Sequence, residues 1–287
     1  TWFSSGQWPF ATLGYQISDI RNQKSGSSRV SKDFKTFYPT DVMETGWDIL
    51  FFWVARMIMF GLYRTGKAPF RTVYLHGLVR DKDRQKMSKS KGNVIDPLGV
   101  AEQYGTDAVR MALTIGNLPG NDIIISEEKI RGYRNFVNKL WNIHRFIAMH
   151  HDSNLTRFNL VRLPAYDQKR LAELRALVKR VTRDMENFRF HHAAEAIYHY
   201  VWHAFADKII ESAKPRLSGG DSQDKAAALK LLLEIYSTIL KLLHPFMPFI
   251  TEELWKQLRE VTGAKKRGLL MVEPWPAETK SKVNQNA

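Results

Sequence analysis

Three lysines, Lys86, Lys89 and Lys91, fall within six residues and are interleaved with Ser88, Ser90 and Gly92. Each ammonium is a compact charge with three donors on a flexible stem, and the small neighbours leave the backbone free to fold over an anion. At about 4 Å one Lys–phosphate contact ranges from about 1 kcal/mol in water to about 4 kcal/mol near a protein surface, so it is the clustering that would make a polyphosphate clamp. A solvated basic loop or a nucleic-acid patch has the same composition. What decides between them is the set of elements that position the loop. Residues 72–79, with β-branched and aromatic side chains, read as a buried strand, residues 41–46 as a shorter one, and residues 48–63 as a helix between them. Strand, helix, strand predicts a parallel crossover. The loop at residues 80–94 then leaves the carboxyl end of the second strand, where open α/β sheets hold ligands.

Composition narrows the class. The chain has 287 residues, 44% apolar and 12% aromatic, enough for one large or two ordinary domains. Lys and Arg number 43 against 29 Asp and Glu, a net charge of +14. That charge favours a polyanionic partner, which RNA, DNA or an anionic membrane surface would each satisfy. The absence of Cys excludes disulfides and thiolate metal sites and suits a reducing compartment. The longest apolar run, residues 49–62, contains Arg56 and falls short of the roughly 18 apolar residues of a membrane span. Residues 1–14 have no basic leader or cleavage site, so the expectation is a cytoplasmic protein without a membrane partner.

Beyond Asp96-Pro97 the pattern is helical. Ile130, Tyr133, Val137, Leu140, His144 and Ile147 recur at spacings of three and four, as do Leu171, Leu174, Val178, Val181 and Met185, then Leu229, Leu233, Tyr236, Leu240 and Leu243; Ala194, Ile197, Val201 and Phe205 begin another register. Such amphipathic segments predict a bundle. Residues 16–35 read as a flexible excursion, residues 154–165 and 219–221 as separators, and Pro245 and Pro248 must interrupt the last long helix. Asp48, two residues after Gly46, reads either as a helix cap or as an acceptor for ribose hydroxyls. His76 and Gly77 end the next strand, where a lone His is either ligand-facing or a satisfied sheet-end residue. Arg131, Arg134, Lys139 and Arg145 form a basic helical face, with Trp141 or its neighbours expected on the apolar stripe. That combination suits RNA, and a solvated face explains it as well.

The order Lys86-Met87-Ser88-Lys89-Ser90-Lys91-Gly92-Asn93-Val94, followed by Asp96-Pro97, resembles the signature loop of class I aminoacyl-tRNA synthetases. Thr1-Trp2-Phe3-Ser4-Ser5, Phe37-Tyr38-Pro39-Thr40-Asp41-Val42 and the run from Gly46-Trp47-Asp48 to Met59 closely resemble the valyl-tRNA synthetases of class Ia. The likeness continues through Tyr104-Gly105-Thr106-Asp107-Ala108-Val109-Arg110, Gly132-Tyr133-Arg134-Asn135-Phe136 and Leu243-His244-Pro245-Phe246 to about Trp275. The resemblance implies an α/β plus all-α chain, the second half of a Rossmann-type parallel sheet followed by a helical-bundle anticodon-binding domain. It divides the chain into residues 1–40 (return segment from an editing insertion and flexible loop), 41–125 (catalytic half with signature loop and stem-contact segment), 126–276 (anticodon-binding helices) and 277–287 (polar tail).

The same resemblance implies ATP-dependent activation of L-valine and its transfer to tRNA(Val), with ATP and Mg²⁺ as cofactors. Partners would be tRNA(Val), L-valine and the missing N-terminal part of a synthetase that is monomeric when complete. Lys86 and Lys89, with Met87, Ser88 and Ser90, would hold the polyphosphate and stabilise charge on departing pyrophosphate. Gly46 and Asp48 would meet the ribose, and His76 and Gly77 the adenine. Trp2 and Trp53 would wall an aliphatic pocket in which one methylene is worth roughly 1–3 kcal/mol. No metal site is expected. Three departures stand out: Arg84 where the family commonly has Gly, no His-x-Gly-His motif, and no editing domain. The chain alone is therefore expected to be inactive and unable to proofread; an isoleucyl-type fragment and a non-catalytic tRNA-binding module are the rival readings.

Overall fold

The computed structural model describes residues 1–15, 31–151, 161–219, 221–263 and 268–276, with the Lys89 side chain excepted. Most of the expected excursion at 16–35 and of the separator at 154–165 lies outside them, as does Gly220 in the 219–221 separator. The chain forms two compact units: residues 1–79 with 117–123, and residues 80–116 with 124–287. Among the described residues no helix is long and apolar enough to cross a membrane.

The first unit begins with two single turns, α1 (Trp2–Ser5) and α2 (Trp8–Ala11), and then α3 (Lys32–Phe37). Ser31 caps α3, its Oγ accepting the Phe34 N–H at 3.0 Å. The expected crossover is present. Strand β1 (Thr40–Gly46) leads to α4 (Ala55–Thr65) and on to β2 (Phe70–His76), and the strands pair in parallel from Thr40↔Phe70 to Gly46↔His76. The helix expected from residue 48 opens differently, as a 3-10 turn at Trp47–Ile49 and a wide π turn at Leu50–Val54, before α4 proper. An unbroken apolar run reads the same at any helical pitch, so periodicity could not register the change. Gly66, left-handed at φ +72°, ends α4. Val54, Met57 and Phe70 form the buried centre, with Met43, Trp53, Ile58 and Val73 packed around it; each full burial contributes about 1.5–3 kcal/mol.

The chain passes between units three times, at residues 79/80, 116/117 and 123/124, the first and last of these within the short strands β3 (Val79–Arg80) and β4 (Ile123–Ile124). The second unit is helical: α5 (Pro97–Tyr104), α6 (Thr106–Thr114), α7 (Glu127–Met149), α8 (Ala165–Glu186), α9 (Phe190–His199), α10 (Glu211–Gly219), α11 (Ser222–Leu243) and α12 (Pro248–Val261). A π-wound run, Tyr200–Ile210, joins α9 to α10. Side-chain oxygens of Asp96, Ser126 and Asp221 cap α5, α7 and α11. The break expected at the prolines falls between α11 and α12, with Pro248 in the first helical position. The apolar registers of α7, α8, α9 and α11 close on one core in which Phe136, Leu140, Val181, Ile197, Phe205 and Tyr236 are fully buried.

Two buried polar clusters fix the bundle. Arg216 of α10 forks onto Asp167 of α8 at 3.1 and 3.0 Å and reaches Asp224 of α11 at 2.8 Å. Removing one partner of such a pair strands a buried charge, at about 3–5 kcal/mol. At the α11–α12 corner the carboxylate of Asp107, 5% exposed, accepts the Ile250 N–H at 2.6 Å and the Phe249 N–H at 3.4 Å. Three residues on, Arg110 donates to the carbonyls of Phe246 and Pro245 at 3.1 and 3.0 Å. One helix, α6, thus supplies the cap that α12 lacks from its own N-cap residue.

Candidate functional site

In the first unit, Gly46 and His76 are register partners at the carboxyl ends of β1 and β2. A Cβ on Gly46 would lie 2.7 Å from Asp48 Oδ1 and 3.6 Å from His76 Cε1. A larger residue would have to turn the exposed Asp48 carboxylate aside, and glycine leaves the strand end open without that shift. Of the two readings of Asp48, the cap is not what the local geometry builds: the turn at Trp47–Ile49 has no side-chain cap bond, and Asp48 is exposed. His76 donates from Nδ1 to the Gly77 carbonyl at 2.8 Å, and its Nε2 lies 3.3 Å from Glu44. Both ring nitrogens are engaged within the unit, which leaves the ring face for packing. Gly77 has a structural reason of its own, because a Cβ there would stand 1.6 Å from the Asn121 carbonyl oxygen. Asp122, absent from the sequence reading, holds the same crossing by accepting the Leu78 N–H at 2.9 Å and the Trp47 indole N–H at 3.4 Å.

Trp2 and Trp53 lie on adjoining segments. The Trp53 indole donates to the Ser5 carbonyl at 3.1 Å and so ties the π turn to α1, while Trp2, 40% exposed, stacks on Phe52 at 6.1 Å with the Arg56 guanidinium 5.7 Å from its ring. The ring partner of Trp2 is therefore Phe52, with Trp53 held by its N–H.

In the second unit the lysine loop is a pinned turn. Asp81 accepts the N–H groups of Asp83 and Gln85 at 3.0 and 2.8 Å, and the Asn93 amide reaches its other oxygen at 2.7 Å. Asn93 in turn accepts the Ser88 N–H at 2.9 Å. The Asn93 amide, followed by the Gln85 N–H, holds the Asp81 carboxyl below the ordinary carboxylate range. This Asp81–Asn93 tie was invisible as a pair in the sequence; an Asp opening a polar turn was the available signal. Arg84, where the family commonly has Gly, takes φ +61°, the left-handed conformation glycine adopts freely, and so the turn survives the substitution. Lys86 and Lys91 are exposed and meet no carboxylate within the described residues; Lys91 reaches only Gln85, at 3.4 Å. Met87 and Ser88 are half-buried, Ser88 and Ser90 face each other through their hydroxyls at 3.2 Å, and Lys89 opens a 3-10 turn with Lys91. Asp96 then closes the loop by capping α5 with both oxygens.

On α7 the expected basic face divides. Arg131 and Arg145 are exposed, whereas Arg134 bonds the Tyr104 carbonyl at 3.4 Å and Lys139 is taken up by Asp207 at 3.4 Å and the Trp202 ring at 5.2 Å. Of Trp141 and its neighbours, it is Leu140 that joins the buried stripe, with Phe136, Ile143 and Ile147, while Trp141 is 37% exposed and lies on the solvent stripe with Asn138, Asn142 and Arg145. A groove of about 780 Å³ between α7 and α12 is lined by Asn142, His144, Arg145, Met149, Glu253 and Gln257.

His191, His192 and Glu195 of α9 bring three potential metal-ligand atoms within 4.8 Å of one another. His191 Nδ1, however, accepts the Gly116 N–H at 3.0 Å, which puts its proton on Nε2, the atom facing Glu195 at 3.8 Å. That tautomer withholds the nitrogen a metal would need.

Comparison with known proteins divides the chain elsewhere, placing the lysine loop, α5 and α6 with the first unit. Residues 1–126 match the family model for tRNA synthetases class I (I, L, M and V), and residues 167–287 that for the anticodon-binding domain of tRNA ligase. Valine--tRNA ligase from Dehalococcoides mccartyi strain CBDB1 is 44% identical over 100% of this chain, and that from Solibacter usitatus is 45% identical over 93%. The chain spans 31% and 28% of those two proteins. Among solved structures, Mycobacterium tuberculosis methionyl-tRNA synthetase in complex with methionyl-adenylate superposes with a TM-score of 0.66 at 25% identity, over 85% of this chain and 47% of that one. The ternary complex of Agrobacterium radiobacter K84 LeuRS with tRNA and LeuAMS gives 0.60 at 25% identity, over 83% and 28%. With a partial Rossmann-type sheet and a helical bundle matched in one order along the sequence, the chain carries a class I tRNA synthetase domain followed by an anticodon-binding domain of tRNA ligases.

Proposed function

We propose that the chain is a portion of a cytoplasmic valine--tRNA ligase, with residues 41–125 contributing to valine activation and residues 126–276 gripping tRNA(Val). Gly46 and Asp48 serve the ATP ribose, His76 and Gly77 the adenine, and Trp2 and Trp53 the valine side chain. Lys86 and Lys89, supported by Met87, Ser88 and Ser90, hold the polyphosphate with Mg²⁺ and stabilise departing pyrophosphate, a charge that grows in the transition state. The observation that carries the reading is the loop. Its sequence is the family's ordered signature, its turn is pinned by Asp81 and Asn93, and its lysine Lys86 is exposed with no carboxylate among the described residues to neutralise it. The exposed stripe of α7, from Arg131 through Trp141 and Asn142 to Arg145, offers cations, amides and an aromatic ring to RNA.

The test grafts this chain in place of the matching third of the Dehalococcoides mccartyi protein. Lys89→Ala in that graft should lower valine-dependent ATP–pyrophosphate exchange by on the order of a hundredfold, the scale for losing one preorganised charge-stabilising group, with a much smaller change in ATP affinity. Equal exchange rates in graft and variant would refute the role. The 287-residue chain by itself should bind tRNA(Val) and give no exchange.

A further inference from the structure

We propose that the face of α8 beside Trp275 is a second RNA-backbone site, taking a phosphodiester strand along its cations and one base against the indole. The proposal rests on the tRNA-binding reading above and adds a surface separate from the α7 stripe. A groove of about 610 Å³ is lined by Lys179, Arg180, Thr182, Arg183, Glu186 and Trp275. Arg175, Lys179 and Arg183 follow one another at intervals of four residues, which sets three cations on one face of α8 over about 12 Å.

Three of the four acidic residues of α8 are committed elsewhere. Asp184 binds Arg189 at 2.6 Å and Arg180 at 3.8 Å, Glu173 binds Arg170 at 3.0 Å, and Asp167 is buried against Arg216. Within the described residues neither Arg175 nor Arg183 has a carboxylate partner, and Glu186 is the single acidic side chain of the lining. Ala172 and Ala176 leave room for close approach on the same face.

The indole is anchored for its task. Trp275 donates from Nε1 to Thr182 Oγ1 at 2.8 Å and packs half-buried against the bundle core, between Pro274 and Pro276. An immobilised ring beside a row of cations is the pairing that single-stranded nucleic acid recognises. The chain's own following residues are a poor complement, since 277–287 carry one carboxylate side chain, Glu278, against Lys280 and Lys282.

The experiment measures binding of a labelled tRNA(Val) transcript to the 287-residue chain between about 50 and about 200 mM salt, the range over which phosphate contacts are most visible. Arg175→Glu/Arg183→Glu should weaken binding on the order of tenfold and flatten the log–log salt slope by about 1.4 to 1.8, the value for two lost phosphate contacts. Lys32→Glu/Lys35→Glu, an equal charge change on exposed α3, should leave both nearly unchanged. Arg175→Gln/Arg183→Gln gives the same slope change if the reversal lowers the melting temperature. Equal losses in both double reversals would mean general electrostatics and overturn the site. Parent-like binding by the α8 variants overturns it while leaving the tRNA reading intact, including the case in which only stability falls because residues 277–287 occupy the groove. A parent chain that binds no tRNA overturns the tRNA reading and the site together.

Discussion

Arg84→Gly isolates what the lysine loop gives up for an unusual residue. Arg84 is held at φ +61° by its N–H bond to the Asp81 carbonyl at 3.0 Å, and its exposed side chain has no hydrogen-bond or ion-pair partner within the described residues. A left-handed L-residue costs about 1–2 kcal/mol relative to its right-handed form. Glycine removes that cost and adds about 0.5–1 kcal/mol of unfolded-chain entropy, which leaves a net gain of about 0.5–1 kcal/mol for the turn. At a tenfold change per 1.4 kcal/mol, hydrogen exchange at the Gln85 and Ser88 amides should slow about two- to fivefold. Arg84→Ala keeps the left-handed backbone and should change little. Arg84→Pro fixes φ near −65° and removes the N–H, so protection at both amides should collapse. Faster exchange in the glycine variant, or a proline variant indistinguishable from the parent, would refute the account of this turn.

The remaining expectations concern other tight places. Gly77→Ala must displace backbone, because the new Cβ would overlap the Asn121 carbonyl; a loss of about 3 kcal/mol in urea unfolding is expected, and an unshifted midpoint would count against it. Asp107→Ala should cost about 1–2 kcal/mol and strip exchange protection from Phe249 and Ile250 while sparing the middle of α12; uniform loss along α12 would contradict a capping role. The Asp81 pKa is lowered chiefly by the Asn93 amide, so the tie is in force above the ordinary value of 3.8 and is lost as pH falls through the lower folded value. The Asn93 side-chain amide resonances should therefore titrate below pH 3.8; titration above it would reverse the sign of the argument.

The parallel pair β1 and β2, the helical registers and the proline break were legible because each is written in local periodicity or in a residue with one backbone option. The lysine loop was legible as a signature, yet its pinning was not, since Asp81 and Asn93 meet across twelve positions of sequence with no periodic mark. The choice between Trp141 and its neighbours stayed open for a related reason: an aromatic residue inside an amphipathic run counts as apolar, and only the packed bundle reveals that the buried stripe passes one residue away, through Leu140. Lys139 looked like surface charge until Asp207 and Trp202 arrived from another helix. Gly77 could be read as an open strand end, but the close pass of Asn121 that demands a glycine is non-local.

The dependence of α12 on Asp107 constrains anyone who would excise the bundle as a minimal module. Ile250 and Asp107 are 143 positions apart, so the first turn of the last long helix stays frayed until a segment from the opposite end of this unit has docked. A cut placed at residue 126, where the match to the class I synthetase model ends, discards both the anion that seats that turn and the guanidinium that grips the preceding carbonyls. Carving should start upstream of α6, or install a replacement Ser or Asp at Met247.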